Sequence, residues 1–317
     1  MQVLTRVRRE AVAALRAQDE FFWLDLEAPP SHELAALGAE LDLHPLAVQD
    51  SINFGQRPKV DEFDDHLLIV FYSVTAAPAD SGREFEPLEV HVYVSGSFVI
   101  TIRRRPCSTL DQARQRMQEH LPADEAKVIY RILRALCDAY DRPLKRLERR
   151  VDDQEEAVFT QRNARLEVIY RLHQEVRDLL RRTTAQREQF RYAAQALAEL
   201  PGLTRGPRAE LRDVADHVTE IDSELSRHDV DIDSLVNVYF NVTASQTNTV
   251  ATRLSLIATF FLAWTLVTGF FGQNFGWLVE NIESREAFLV YGVGGLIVAT
   301  AVAALVLWLG RNVRGDK

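Results

Sequence analysis

Between Asn248 and Asn274, side-chain oxygens recur at regular positions in a mostly apolar run. They include those of Asn248, Thr252, Ser255, Thr259, Thr265 and Thr268, and the run closes on Gly269-Phe270-Phe271-Gly272-Gln273-Asn274-Phe275. No Asp, Glu, Lys, Arg or His stands between Leu254 and Val279, nor between Ala287 and Gly310. Proton relays and voltage sensors need ionisable groups of that kind, so the pattern argues against a pump built on buried carboxylates. What remains is neutral hydrogen-bonding chemistry, open to two readings. The hydroxyls can be satisfied on carbonyls of their own helix, with Gly-Gln-Asn a simple turn. Alternatively, the polar positions form a functional face.

Elsewhere the chain offers less. Its eight histidines are scattered and form no ligand pair, and His228 reads as a tolerated polar residue on a helix seam. The acidic run Asp152, Asp153, Glu155 and Glu156 reads as a solvated helix tip before it reads as a loose cation site. No nucleophile-base pair, phosphate-cradling glycine loop or metal-ligand cluster stands out, so the chain is not expected to be an enzyme. Cys107 and Cys137 lie in the part assigned below to the cytosol, where thiols stay reduced, which predicts no disulfide.

The polar face needs elements to carry it. Averages over the 317 residues look soluble, with charged residues at 26% and a formal net charge of −9. Yet each charge-free stretch exceeds the roughly 20 residues that a helix needs to cross a hydrocarbon core. Two membrane-spanning helices follow. Arg253 flanks the first, and Arg311, Arg314 and Lys317 follow the second, while the loop from Glu280 to Glu286 has one Arg against three Glu. That asymmetry places both termini in the cytoplasm, with Trp277 and Trp308 at the two interfaces. Arg6, Arg8 and Arg9 precede no apolar segment, so no signal peptide is expected.

Upstream, residues 1–120 read as an α/β domain. Phe21–Leu26 predicts a strand, and Ser31 is the expected N-cap of a helix carrying Leu34, Leu37 and Leu41. His66–Val74 is a long β-rich run, and Glu89–Val94 with Ser97–Ile102 predicts a hairpin broken at Gly96. From Asp111 the pattern is helical, with breaks at Pro201-Gly202 and Gly206-Pro207. Beyond them Leu211, Val214, Val218, Ile221, Leu225, His228, Ile232, Leu235, Tyr239 and Val242 recur at alternating intervals of three and four. This is a heptad seam, and it predicts a stalk that self-associates. No Gly or Pro interrupts from Arg208 to Gly269, so one helix of about 60 residues, some 90 Å long, would run into the first span. The class is α+β: an N-terminal cytosolic α/β domain, a long-helix stalk and two C-terminal transmembrane helices. The expected divisions are 1–120, the helical and stalk region 121–253, the first span 254–272, the outer loop 273–287, the second span 288–310 and the tail 311–317.

The segment Leu256–Leu262, followed by Thr265–Phe275, resembles the CorA family of divalent-cation channels, whose signature Gly-Met-Asn closes the first span. His44-Pro45-Leu46-Ala47 and Gly55–Val60 resemble that family's N-terminal domain, and Leu211–His217 resembles the start of its stalk helix. The resemblance implies a homopentamer in the lipid bilayer of the plasma (inner) membrane, its first spans ringing a pore. Pore-lining positions would be Asn248, Ala251, Leu254, Ala258, Leu262 and Thr265, with a selectivity filter of Gly272, Gln273 and Asn274. Their spacing keeps the lining on one helical face. Leu254 and Leu262 would form apolar constrictions that gate by dewetting.

Magnesium suits such a filter, because Mg²⁺ gives up its waters reluctantly and neutral amide oxygens at Asn274 can accept hydrogen bonds from a hydrated ion. Glu280, Glu283 and Glu286 would concentrate cations near the mouth, or simply face solvent. The resemblance also implies closure by a cytosolic divalent ion, with Asp213 at a matching carboxylate position. Mg²⁺ is thus expected as transported and regulatory ion, with Zn²⁺, Co²⁺ or Ni²⁺ as alternatives. Neither nucleic acid nor a small organic substrate is expected as partner. Some positions depart from the family. Gln273 replaces the usual Met, Ala263-Trp264 replaces a Pro-containing pair, and Asn237 stands where Asp occurs. The rival readings are a proton-linked zinc transporter and a membrane-anchored coiled-coil scaffold or sensor without a pore.

Overall fold

The computed structural model describes residues 1–120, 122, 124–160, 164–200, 208–273, 276, 280 and 284–315. By contacts the chain divides into two compact units, Met1–Tyr239 and Phe240–Lys317.

The first unit is built on a six-stranded mixed sheet. Its strands are β1 (Gln2–Leu4), β2 (Phe22–Glu27), β3 (Lys59–Glu62), β4 (His66–Ala76), β5 (Phe85–Ser95) and β6 (Phe98–Arg103), in the spatial order β1-β2-β6-β5-β4-β3. β2 runs parallel to β1 and β6, and the remaining pairs are antiparallel. The predicted strand and hairpin are both present, β2 and β6 each shifted by one residue and β5 longer than the sequence suggested. β6 is buried throughout and β4 over its first nine residues, because both faces of the sheet are covered. Alternation sorts the side chains of β4. Leu68, Val70 and Tyr72 join a core with Phe22, Leu24, Leu34, Leu37 and Ile100. On the other face Phe71 meets Phe190 edge-on at 6.0 Å, and Ser73 donates to the Leu136 carbonyl at 2.8 Å.

The first core is closed by α1 (Arg9–Ala17), α2 (Ser31–Glu40) and α3 (Pro45–Asn53). The helix expected at Ser31 is present, but its cap is not. Pro30 occupies the N-cap, and its carbonyl already receives the N–H groups of Glu33 and Leu34, so Ser31 becomes the first helical residue. The proline fixes the turn without a side-chain acceptor.

A buried polar chain pins α3 to the sheet. Ser51 Oγ lies 2.7 Å from the Tyr93 hydroxyl and 2.8 Å from His91 Nδ1, and His91 Nε2 lies 2.8 Å from Glu89 Oε1. Glu89 then receives the backbone N–H groups of Gly55 at 2.7 Å and Gln56 at 3.0 Å. That cradle requires left-handed backbone at Phe54 (φ 56°) and Gly55 (φ 79°), so successive amides converge on one carboxylate. This explains Gly55, which has open space around it but a φ that side chains rarely adopt.

The helical layer comprises α4 (Ser108–Glu119), α5 (Glu125–Asp138), α6 (Asp141–Phe159) and α7 (Leu166–Glu199). Next comes α8, Arg208–Phe271, a single helix of 64 residues, as the uninterrupted sequence predicted. The breaks read at Pro201-Gly202 and Gly206-Pro207 lie outside the described residues. Cys107 and Cys137 are buried free thiols, and burial pushes the Cys137 thiol well up.

The heptad seam is buried over much of its length. Leu211, Val214, Val218, Ile221, Leu225, Ile232 and Leu235 are buried within this single chain. α7 lies beside the seam: Thr184 donates to Asp222 at 2.6 Å and Arg187 at 2.5 Å. A heptad marks a buried stripe without saying what covers it, and here the same chain does. Along this part of the seam the stripe is packed within the protomer. His228 on the seam is half-buried.

Burial alone would push the Glu89 carboxyl up, but the His91 contact, the two backbone N–H groups and the His91 charge outweigh it and hold it below its ordinary value. A depressed carboxylate stabilises the fold above its unfolded value of about 4.3, and this contribution is lost as pH falls through the lower folded value. Glu89→Gln should cost roughly 1–3 kcal/mol at neutral pH. Denaturant unfolding should show that loss shrinking below about pH 4.

Candidate ion pathway

The second unit is a helical hairpin. Its first arm is the C-terminal part of α8. Its second arm is a short turn, α9 (Arg285–Ala287), a π-helical segment (Phe288–Val293) and α10 (Gly294–Gly315). Both arms carry stretches long and apolar enough to cross a membrane. Their windows are almost wholly exposed in the single chain, at 0% and 6% buried, which separates them from core helices of a soluble domain.

One stripe of α8 faces the second arm. Thr259, Phe260, Ala263, Val267 and Phe271 are partly covered, and Trp264 Nε1 donates to Thr300 Oγ1 at 2.8 Å. Gly295 lies against Val267, whose methyl would stand 3.3 Å from an added Cβ. Small residues at such crossings let helices approach where no hydrophobic drive exists between them. Helix α8 runs without interruption through Ala263 and Trp264, so the absent proline leaves no break there.

The six positions assigned to a pore lie elsewhere on the helix. Asn248, Ala251, Leu254, Ala258, Leu262 and Thr265 are all exposed, Leu254 at 61% and Leu262 at 70%. At 3.6 residues per turn their mean direction falls roughly 180° from the stripe that meets the second arm. The protomer itself thus leaves this face unpartnered.

The four threonine hydroxyls are back-bonded. Thr252 donates to Asn248 O at 2.8 Å, Thr259 to Ser255 O at 2.8 Å, Thr265 to Phe261 O at 2.7 Å and Thr268 to Trp264 O at 2.9 Å. The simpler of the two readings of these oxygens is therefore true of their protons. Each oxygen still keeps acceptor capacity.

At the end of α8, Gly272 N donates to Thr268 O at 2.9 Å and Gln273 N to Phe270 O at 3.3 Å. A Cβ at Gly272 would stand 3.1 Å from the Thr268 carbonyl, which gives the glycine of the motif a steric reason. Asn274, Trp277, Glu283 and Lys317 lie outside the described residues. Glu280 and Glu286 are exposed, as is Trp308 at 58%.

Asp213, the carboxylate singled out for regulation, belongs to the first unit. It accepts from the Tyr130 hydroxyl at 2.9 Å and from Arg134 Nη1 at 3.2 Å, and His217 Nε2 lies 3.5 Å away. Arg134 also touches His217. The Tyr130 hydrogen bond, with the His217 and Arg134 charges, holds the Asp213 carboxyl below its ordinary value. Spacing along the chain gave no sign of these partners on α5. The carboxylate is nonetheless 46% exposed and so remains open to an ion.

A sheet-based N-terminal body, one helix that begins in that body and carries an apolar stretch long enough to cross a membrane, and a second such helix after it define a class of two-span membrane transport protein. Residues 18–311 match the family described as CorA-like Mg2+ transporter protein. The chain belongs to that family and is a divalent-cation transporter of the CorA type. It is 25% identical over 299 residues to YfjQ of Bacillus subtilis, covering 91% of this chain and 88% of that one. It is also 25% identical over 301 residues to the cobalt/magnesium transport protein CorA of Thermotoga maritima, covering 92% and 84%. Among solved structures, the complete CorA magnesium transporter of Methanocaldococcus jannaschii superposes with a TM-score of 0.75 at 16% identity, covering 90% of this chain and 89% of that one.

Gly272→Ala should insert a methyl against the Thr268 carbonyl, a strain of roughly 1–3 kcal/mol. Cation flux into liposomes is expected to fall at least about fivefold, with the protein still folded and inserted by circular dichroism and flotation.

Proposed function

We propose that the chain is a channel, not an enzyme, that conducts hydrated Mg²⁺ through a homopentamer in the plasma membrane, with both termini in the cytoplasm. The observation that carries this reading is the unpartnered face of α8, which bears Asn248, Ala251, Leu254, Ala258, Leu262 and Thr265 opposite the hairpin contact. Five copies of that face would enclose a path whose wall is neutral. Leu254 and Leu262 would narrow it, and Thr265 would offer an acceptor oxygen. Gly272, Gln273 and Asn274 would form its outer filter.

A neutral filter fits Mg²⁺ because conduction requires sites weak enough for the ion to leave. Rings of amide oxygen accept hydrogen bonds from the ion's coordinated water, whereas carboxylates would hold the ion longer. Gating would come from a cytosolic divalent ion at Asp213, whose affinity is lowered by the competing Arg134 guanidinium. Mg²⁺ would then be both cargo and regulator, and Co²⁺ or Ni²⁺ would be carried less well.

Gln273 supports a second reading. It replaces a thioether with an amide beside Asn274, and so leaves room for a zinc transporter driven by protons. The two readings differ in what drives flux.

Purified protein in liposomes should admit Mg²⁺ down its gradient with no pH difference, and Asn274→Ala should reduce that flux at least about tenfold, equivalent to about 1.4 kcal/mol. Zn²⁺ uptake that requires a pH gradient, with no Mg²⁺ entry, would overturn the magnesium reading. Unchanged flux in Asn274→Ala would remove the filter assignment, and no flux of any divalent ion would leave a scaffold.

A further inference from the structure

His173 on α7 and the pair Asp229 and Asp233 on α8 converge within the first unit. His173 is buried at 8% exposure, and its Nε2 lies 2.8 Å from Asp229 Oδ1 and 3.5 Å from Asp233 Oδ1. All three ligand atoms lie within 4.8 Å of one another. We propose that this triad is a binding site for a divalent transition metal, with Zn²⁺ the best match. The inference goes beyond the transport reading and does not rest on it, because these residues belong to neither the pore face nor the Asp213 cluster.

Three features support it. The first is distance. Ligands bound at about 2.0–2.2 Å to one tetrahedral Zn²⁺ stand about 3.4 Å apart, so the spacings already present need only small rotamer adjustments. The second is preorganisation. Asp229 and Asp233 sit one turn apart on one face of α8, and the imidazole that meets them is fixed by burial. The third is ligand type. One imidazole with two carboxylates suits Zn²⁺ or Co²⁺, whereas Mg²⁺ prefers oxygen and its own waters. Asp233, 57% exposed, leaves one side open for entry and for a water ligand.

A cation already stands at this place. Arg177, one turn beyond His173, donates from Nε to Asp229 at 2.9 Å and holds Nη2 3.6 Å from Asp233. It neutralises the carboxylates when no metal is bound. Arg177 is 54% exposed, and such exposed ion pairs are weak, so the guanidinium can swing into solvent as an ion enters. Metal and arginine therefore compete for the same two carboxylates. The bound ion would clasp α7 to α8 a few turns from the Asp222 contacts.

Full-length protein in detergent, stripped with chelator, can be titrated with Co²⁺ alone. Binding at the triad should give the visible absorption of four- or five-coordinate Co²⁺, saturating at one ion per chain and displaced by Zn²⁺ but not by Mg²⁺. His173→Ala should weaken this at least about tenfold. Asp233→Asn, at an exposed position that folding tolerates, should weaken it as well, while Arg177→Ala should strengthen it roughly two- to fivefold. Asn274→Ala should leave the spectrum unchanged whatever it does to flux, which separates this site from the pore. Absence of the absorption in the folded wild type, or its persistence in both His173→Ala and Asp233→Asn, would overturn the proposal and leave an ion-pair clasp alone.

Discussion

Helix α8 must satisfy two different solvents with one unbroken backbone, and the fold answers to that requirement. Over its first turns the helix buries Leu211, Val214, Val218 and Leu225 against its own chain, under water-exposed charges. Beyond Tyr239 it belongs to the other unit and exposes Leu254, Leu262 and Leu266 at 61%, 70% and 75%. A helix closes its backbone hydrogen bonds internally wherever it goes, so it is the element that can serve both settings. Gly and Pro are kept out of Arg208–Thr268 for this reason, and the first glycines appear where the helix is about to end.

The N-terminal body is itself held together through polar contacts as much as through apolar ones. Asp25, fully buried, meets Arg103 and Arg114 and receives the Thr101 hydroxyl at 2.7 Å. The same Thr101 accepts from Trp23 at 3.0 Å, so the network fixes the parallel register of β2 and β6, in which Asp25 faces Thr101. Burying such charges is costly unless every one is paired. Only Arg103 Nε lacks a partner among the buried described side-chain atoms.

What could be read from the sequence was whatever depends on local pattern. Charge-free length announced the spans, period-2 alternation announced β5 and β6, and the lack of helix breakers announced α8. The face proposed as a pore wall follows from the same local spacing, since a helix turns residues three or four apart to one side. Contacts between distant parts were not legible. The heptad identified which residues of α8 would be buried but not that their own chain would cover them. Glu89 meets Gly55 and Gln56 across more than thirty residues, and His173 meets Asp229 across 56. Eight scattered histidines gave no hint of that pairing, because ligand sets assembled from two packed helices have no spacing rule. The cap at Ser31 was misplaced for a smaller reason: proline supplies the entry geometry without a side-chain acceptor.

The back-bonded hydroxyl of Thr265 carries a consequence for ion sign. Its one proton is committed to the Phe261 carbonyl, so toward the open face this group can only receive hydrogen bonds. Water bound to a cation points hydrogens outward and finds a partner there. Water around an anion points oxygens outward and finds none. A ring of such groups would discriminate by the orientation of hydration dipoles, favouring positive ions without a single formal charge in its wall.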